Sequence, residues 1–224
     1  CIIPIRMNNI QVDNAWSILN RINVVSIVYA SPRPGTDFLH SLFDSHPQIL
    51  TFDGWLIFHE FYNKSISIYG TDKFINGIDG ASLIRRKREV IATDFFREFA
   101  WKHLHKFDTS YDSLEKKDRL GVDGNEFNIV DIDKFVELGV KLMNNKDPSS
   151  KNFFLATYCA YALARGEDLN LKKVLLHHIH DQNYLPDVVR DFSDLKVIAC
   201  IRDPRVVVTK INTYIDNGTL SRSV

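Results

Sequence analysis

The chain has 224 residues, of which 45% are hydrophobic and 25% charged, the composition of an ordinary soluble globular protein with one large domain or two small ones. That composition excludes a disordered chain, a collagen and a coiled coil. Lys+Arg and Asp+Glu both number 28, so no bulk charge draws the chain to nucleic acid or to an anionic membrane, and any anion site has to be local. Cys1, Cys159 and Cys200 are too few and too widely spaced for a disulfide framework or a zinc site. No apolar run approaches the roughly 20 residues of a membrane span, and no signal-peptide pattern opens the chain. Because the first residue is Cys1 rather than Met, we expect a leader or anchor to precede it.

In chain order, Val24 to Tyr29 is a short β-branched apolar run and predicts a strand buried on both faces. It enters Ala30-Ser31-Pro32-Arg33-Pro34-Gly35-Thr36, a turn made from proline and glycine. Phe38, Leu39, Leu42 and Phe43 then fall at helical spacing, up to a stop at Ser45-His46-Pro47. Gln48 to Phe52 predicts a second strand. From about Trp55 to Leu169 the pattern is helical and polar-surfaced. Within it, Ile84 to Phe107 is a long amphipathic helix candidate, Asp108 to Asp123 a charged exposed connection, and Asp131 to Met143 a further helix. Lys151 to Ala164 adds another, with a Ser149-Ser150 capping region. Strand character returns at Val174 to His178, a helix follows from about Pro186 to Phe192, and Lys196 to Ile201 predicts another buried strand. That strand runs into Arg202-Asp203-Pro204-Arg205.

Strands alternating with helices imply an α/β domain with a mostly parallel central sheet, right-handed crossovers and three layers. The chain reads as one such domain, its core at about 22–54 and 171–217 and a large helical insertion at about 55–170. Ligands of such sheets bind beyond the carboxyl ends of the strands. The turns at Arg33 and Arg202 each follow a strand and should open on the same edge.

The first turn suits an anion. Gly35 lets the backbone approach a ligand closely, the helix start offers N–H groups and partial positive charge, Thr36 adds a hydroxyl, and Arg33 adds a forked cation. The competing reading is a tight strand-to-helix turn with a solvated arginine. The Walker arrangement of glycines, lysine and hydroxyl is absent, which argues against an ATP- or GTP-hydrolysing loop. In the second turn Pro204 sits near a helix start, where proline is tolerated. Thr209 and Lys210 come about two turns later on the face that carries Arg202 forward.

Together, Ser31-Pro32-Arg33-Pro34-Gly35-Thr36-Asp37-Phe38-Leu39 and Ile201-Arg202-Asp203-Pro204-Arg205 resemble the two nucleotide-binding signatures of the sulfotransferase family, which has a P-loop-like α/β fold. Leu42 to Ile49 also looks like the end of that family's first helix and its lead into the second strand. The resemblance covers Val24–Phe52 and Leu171–Asn217, roughly a third of the chain. It implies 3′-phosphoadenosine 5′-phosphosulfate (PAPS) as co-substrate, no metal, and a small-molecule or glycan acceptor; the zero charge balance argues against nucleic acid, and no membrane contact is evident in this segment. It implies that Arg33, Pro34, Gly35, Thr36, Asp37 and Phe38 cradle the 5′-phosphosulfate. Arg33 stands at the basic position near the bridging oxygen, and Phe38 where some members stack on adenine. Arg202 is implied at the 3′-phosphate, helped by a hydroxyl on the following helix. There Lys210 stands where a serine is expected, with Thr209 adjacent. Pro34 replaces the usual hydroxyl residue, and Asp37 sets a carboxylate where a second threonine is common. These departures frame the alternative, a non-catalytic nucleotide- or anion-binding module on the same fold. An unrelated phosphotransferase is a third reading.

Sulfo transfer needs a base for the acceptor's proton and cations for the leaving phosphate. His177, His178 and His180 cluster where the third strand ends, and the family often has a Lys or His hereabouts. Alternation sets His178 and His180 on one side and His177 on the other. His178 is the first choice of base, and His59 or Glu60 the second. The bland alternative is that these histidines hydrogen-bond in a packed loop. A metal site fares worse: two ligands on one strand face lack a partner from elsewhere. His59-Glu60 is not followed by a second histidine at zinc-protease spacing, and Asp123-Gly124-Asn125-Glu126 lacks the EF-hand order. The insertion is where acceptor recognition is expected, although Phe95, Phe99, Phe153, Phe154 and Tyr158 read as core. The sequons Asn63-Lys64-Ser65 and Asn217-Gly218-Thr219 carry meaning only in a secreted protein. Since family members continue beyond the second motif, we expect a further nucleotide-contacting segment and part of the acceptor wall after Val224.

Overall fold

Before the first strand, α1 (Asn9–Leu19) turns Ala15, Trp16 and Leu19 into the core, and the Trp16 indole donates to the Leu142 carbonyl at 2.8 Å. Four strands follow in the chain: β1 (Asn23–Tyr29), β2 (Ile49–Leu50), β3 (Val174–His178) and β4 (Lys196–Cys200). In the computed structural model, which describes residues 9–29, 35–44, 46–52, 56–69, 91–104, 130–179, 181–203 and 205, they form one parallel sheet in the order β2-β3-β1-β4. This is the α/β arrangement that the alternating pattern predicts. Parallel neighbours need crossovers. Here α2 (Thr36–Ser41) connects β1 to β2, and α7 (Leu185–Asp191) connects β3 to β4. Between β2 and β3 lie α3 (Phe58–Tyr69), α4 (91–99, continuing as a π turn over Ala100–Leu104), α5 (Ile132–Met143) and α6 (Ser150–Ala164).

Two of these helices start where their side chains supply caps. Asp131 accepts from the Lys134 amide at 2.9 Å and Ser149 from the Asn152 amide at 3.3 Å, each satisfying one orphan donor of a first turn. Helix α6 is buried along nearly its whole length, and its aromatic residues build the core with α3 and α4. The Phe95 and Phe153 rings lie 4.4 Å apart and those of Phe52 and Tyr161 4.2 Å apart, close to optimal aromatic contact. Phe95, Phe99, Phe153, Phe154 and Tyr158 are all fully enclosed, as their periodicity predicts. Gly139 of α5 makes room for Phe96: a Cβ there would stand 2.6 Å from the ring.

The two faces of the sheet carry different layers. His177 meets Tyr158 and Phe154 of α6, whereas the adjacent His178 meets His40 of α2. Successive strand residues point to opposite faces, so α2 and α6 lie on opposite sides. The bulk of the core is on the α6 side.

Three expectations are corrected. The second strand pairs only over Ile49–Leu50, because the Thr51 side chain then takes the Leu176 carbonyl at 3.0 Å and ends the ladder. Helix α2 stops at Ser41, and turns carry the chain through 42–44. Strand β4 is not buried: Val197 and Ile198 are 44% and 39% exposed, and Ile201 beyond it 77%. The reason is position, since β4 is an outer strand with β1 on one side only among the described residues. The connection at 108–123 and the ends of the Ile84–Phe107 candidate lie outside the described residues.

Candidate functional site

The edge where β1 and β4 end is built from their register. Val25 to Tyr29 run beside Lys196 to Cys200, and Tyr29 is opposite Cys200. The segments leaving the two strands therefore start side by side, on one edge, as the paired turns predict.

At the first of them, Gly35 caps α2 in a left-handed conformation with φ 97° and ψ 23°. Residues with a Cβ enter that region only with strain. Among the described residues no atom beyond its chain neighbours and its own helix backbone lies within 4 Å of where a Cβ would stand, so the glycine serves its backbone angle. Its carbonyl accepts from the Leu39 amide at 2.9 Å, and among the described residues no side chain caps the helix. Thr36 is buried, while Asp37 and Phe38 are exposed, Phe38 by 70%. Arg33 and Pro34 lie outside the described residues.

At the second segment Arg202 is half-buried just past β4. Asp203 takes the Arg205 amide at 2.9 Å and the Arg205 guanidinium through both carboxylate oxygens, at 2.6 to 3.1 Å. Those hydrogen bonds hold the Asp203 carboxyl below its ordinary value. Asp203 and Arg205 thus satisfy each other within the turn. Thr209 and Lys210 lie outside the described residues.

Of the candidate bases, His178 is the one brought to the first turn. Its Nδ1 is 3.7 Å from Oδ1 of Asp37, an ion-pair separation longer than a hydrogen bond. The His178 side chain is fully enclosed, and that of Asp37 is 72% exposed. His40, three residues after Asp37, sets its ring edge-on against His178 at 5.3 Å, and its Nε2 lies 2.8 Å from the Thr51 hydroxyl. The sequence reading did not single out His40. Its signal was the spacing to Asp37, which puts both on one face of a helix.

His59 and Glu60 fall elsewhere. His59 is buried in the first turn of α3, on the α6 side of the sheet, with Nε2 at 3.1 Å from Asp191 of α7. Burial would raise the Asp191 carboxyl, but hydrogen bonds from His59 and Ser150 outweigh it and hold the group below its ordinary value. Glu60 pairs with Lys64 one turn on. His177 shares a hydrogen bond with Tyr158 inside the core, and His180 lies outside the described residues. The structure therefore joins Asp37 and His178 and separates them from His59 and Glu60. No family model, curated protein or solved structure matches this chain.

Chemically, the edge offers a glycine-capped helix start, a guanidinium at the neighbouring strand end, and a carboxylate backed by an imidazole. That set can bind an anion and move a proton.

Proposed function

We propose that the protein is a PAPS-dependent sulfotransferase, moving a sulfo group to a hydroxyl or amine acceptor by in-line displacement. One observation carries the reading: the Tyr29–Cys200 register, which brings the Gly35–Thr36 helix start and Arg202 to the same end of two adjacent parallel strands. A nucleotide with a 5′-phosphosulfate and a 3′-phosphate needs two cationic or N–H-rich stations, one for each anion, and adjacent strand ends supply them. In this reading Arg33 and the Gly35 turn hold the 5′ end, Arg202 the 3′-phosphate with Thr209 and Lys210, and Phe38 flanks the adenine. The cations stabilise charge on the leaving phosphate, and a base at the same edge removes the acceptor's proton.

The test is a thermal-shift titration with the spent donor PAP, against ATP, AMP and sulfate. At a hundred times its Kd, PAP raises stability by about 2.7 kcal/mol. A PAP-selective shift that disappears in Arg202→Ala supports the donor site; a chain indifferent to PAP sinks the reading. A second reading, a non-catalytic anion-binding module, is favoured by the exposed carboxylate of Asp37 two residues past Gly35. PAPS turnover eliminates it, and an ATP shift that competes with PAP favours a phosphotransferase instead.

A further inference from the structure

A base that removes a proton from an acceptor has to touch that acceptor, and the His178 side chain is wholly enclosed. Its neighbour is not: Asp37 is 72% exposed, with Oδ1 3.7 Å from His178 Nδ1. We infer that Asp37 is the residue that meets the acceptor hydroxyl or amine, and that His178 is its positioning partner and the store for the proton. This rests on the sulfo-transfer reading and reverses the meaning of Asp37. The carboxylate that departs from the family pattern becomes the working base.

The surroundings of His178 suit that role. On one side its ring packs edge-on against His40, whose Nε2 is anchored on Thr51 and lies 4.0 Å from Asp44. Across the ladder its register partner is apolar Ile27 of β1. His177, next along the strand, points into the opposite layer. Asp37 and His40 from α2, with Asp44 behind His40, are thus the titratable groups on the His178 side among the described contacts. The imidazole packs against His40, and its Nδ1 faces the exposed Asp37 carboxylate.

In the step, the acceptor oxygen or nitrogen forms its bond to sulfur while the bond from sulfur to the phosphate oxygen of PAPS breaks. That electron pair leaves on PAP. The acceptor's proton passes to the Asp37 carboxylate and on to His178 Nδ1, which restores Asp37 and leaves an imidazolium beside it. The imidazole behind the carboxylate gives the proton a second station away from the acceptor. The 3.7 Å gap has to close by about half an ångström for that hand-over, as catalytic contacts often do when ligand binds.

The experiment measures PAP release from PAPS with a phenol, an N-acetylhexosamine and a primary alkylamine as acceptors. PAP affinity is measured on the same wild-type, Asp37→Asn, Asp37→Glu and His178→Gln proteins. We expect Asp37→Asn to bind PAP at least as tightly as wild type and to lose about 100- to 10,000-fold in turnover, the usual worth of a general base. Asp37→Glu should recover part of the loss. His178→Gln, checked for folding by its melting curve, should retain PAP binding and lose the acid limb of the pH–rate profile. A merely structural histidine would leave that limb in place. Wild-type turnover in Asp37→Asn, or an unchanged acid limb in His178→Gln, overturns the inference alone. Wild-type protein that binds PAP but transfers to none of the acceptors also overturns it and leaves the donor site standing. Wild-type protein that does not bind PAP removes both.

Discussion

The hydroxyl of Tyr158 and Nδ1 of His177 lie 2.8 Å apart, both enclosed in the layer between the sheet and α6. Burial lowers the His177 pKa well below its ordinary 6.5, and the nearby His59, His178 and His40 lower it further. Burial also raises the Tyr158 phenol. Both groups are therefore neutral across the ordinary pH range and share one hydrogen bond in a low-dielectric setting.

A pH dependence follows, with its sign set by His177. A histidine whose folded pKa is depressed binds its proton more readily when unfolded. Its contribution is complete above about 6.5 and is lost as pH falls from there toward the lower folded value. The melting temperature should drop between about pH 7 and pH 5, and His177→Gln should flatten that drop. Asp191 acts further into acid: its depressed carboxyl contributes stability that disappears as pH falls below its ordinary 3.8. Melting curves across this range check both, and an unchanged slope in His177→Gln refutes the first.

Tyr158→Phe removes the hydroxyl and leaves the buried imidazole without that partner. The expected loss is about 1–3 kcal/mol by urea unfolding.

Gly139→Ala should destabilise, although alanine is the better helix former by about 1 kcal/mol. The added Cβ would meet the Phe96 ring at 2.6 Å, and that ring is itself fixed against Phe95, Phe135 and Phe153. Overpacking of this kind costs about 1–3 kcal/mol. In the double variant with Phe96→Ala the two losses should be less than additive, because the second change removes the clash.

Gly35→Ala tests the turn itself. Nothing among the described residues beyond its chain neighbours and its own helix backbone obstructs the Cβ, so the expected cost is backbone strain of about 1–2 kcal/mol. On the sulfo-transfer proposal, the variant should lose PAP affinity beyond what its melting temperature accounts for, since the helix start is re-aimed. Gly35→Asn, which tolerates the left-handed region better, should lose less.

The Asp131 cap supplies a control remote from the ligand edge. Asp131→Ala should cost about 0.5–2 kcal/mol by urea unfolding, through the lost bond to the Lys134 amide, and leave the proposed PAP binding unchanged.

The α/β class was legible in the sequence because local patterns encode it. The β-branched runs at Val24–Tyr29 and Val174–His178 and the capped starts at Asp131 and Ser149 are settled by near neighbours in the chain. The opposite facing of His177 and His178 follows from the two-residue strand period alone. Pairing was not legible. Which strands lie side by side, and that Tyr29 meets Cys200, depends on contacts across more than a hundred and fifty residues of chain, and no local pattern specifies them. The same holds for exposure: Lys196–Cys200 has the composition of a buried strand, and only its outer place in the sheet leaves Val197 and Ile198 open. The contrast between Asp37 and His178 was not legible either: packing encloses the imidazole and leaves the carboxylate outside, and enclosure is a property of the packed layers around a side chain.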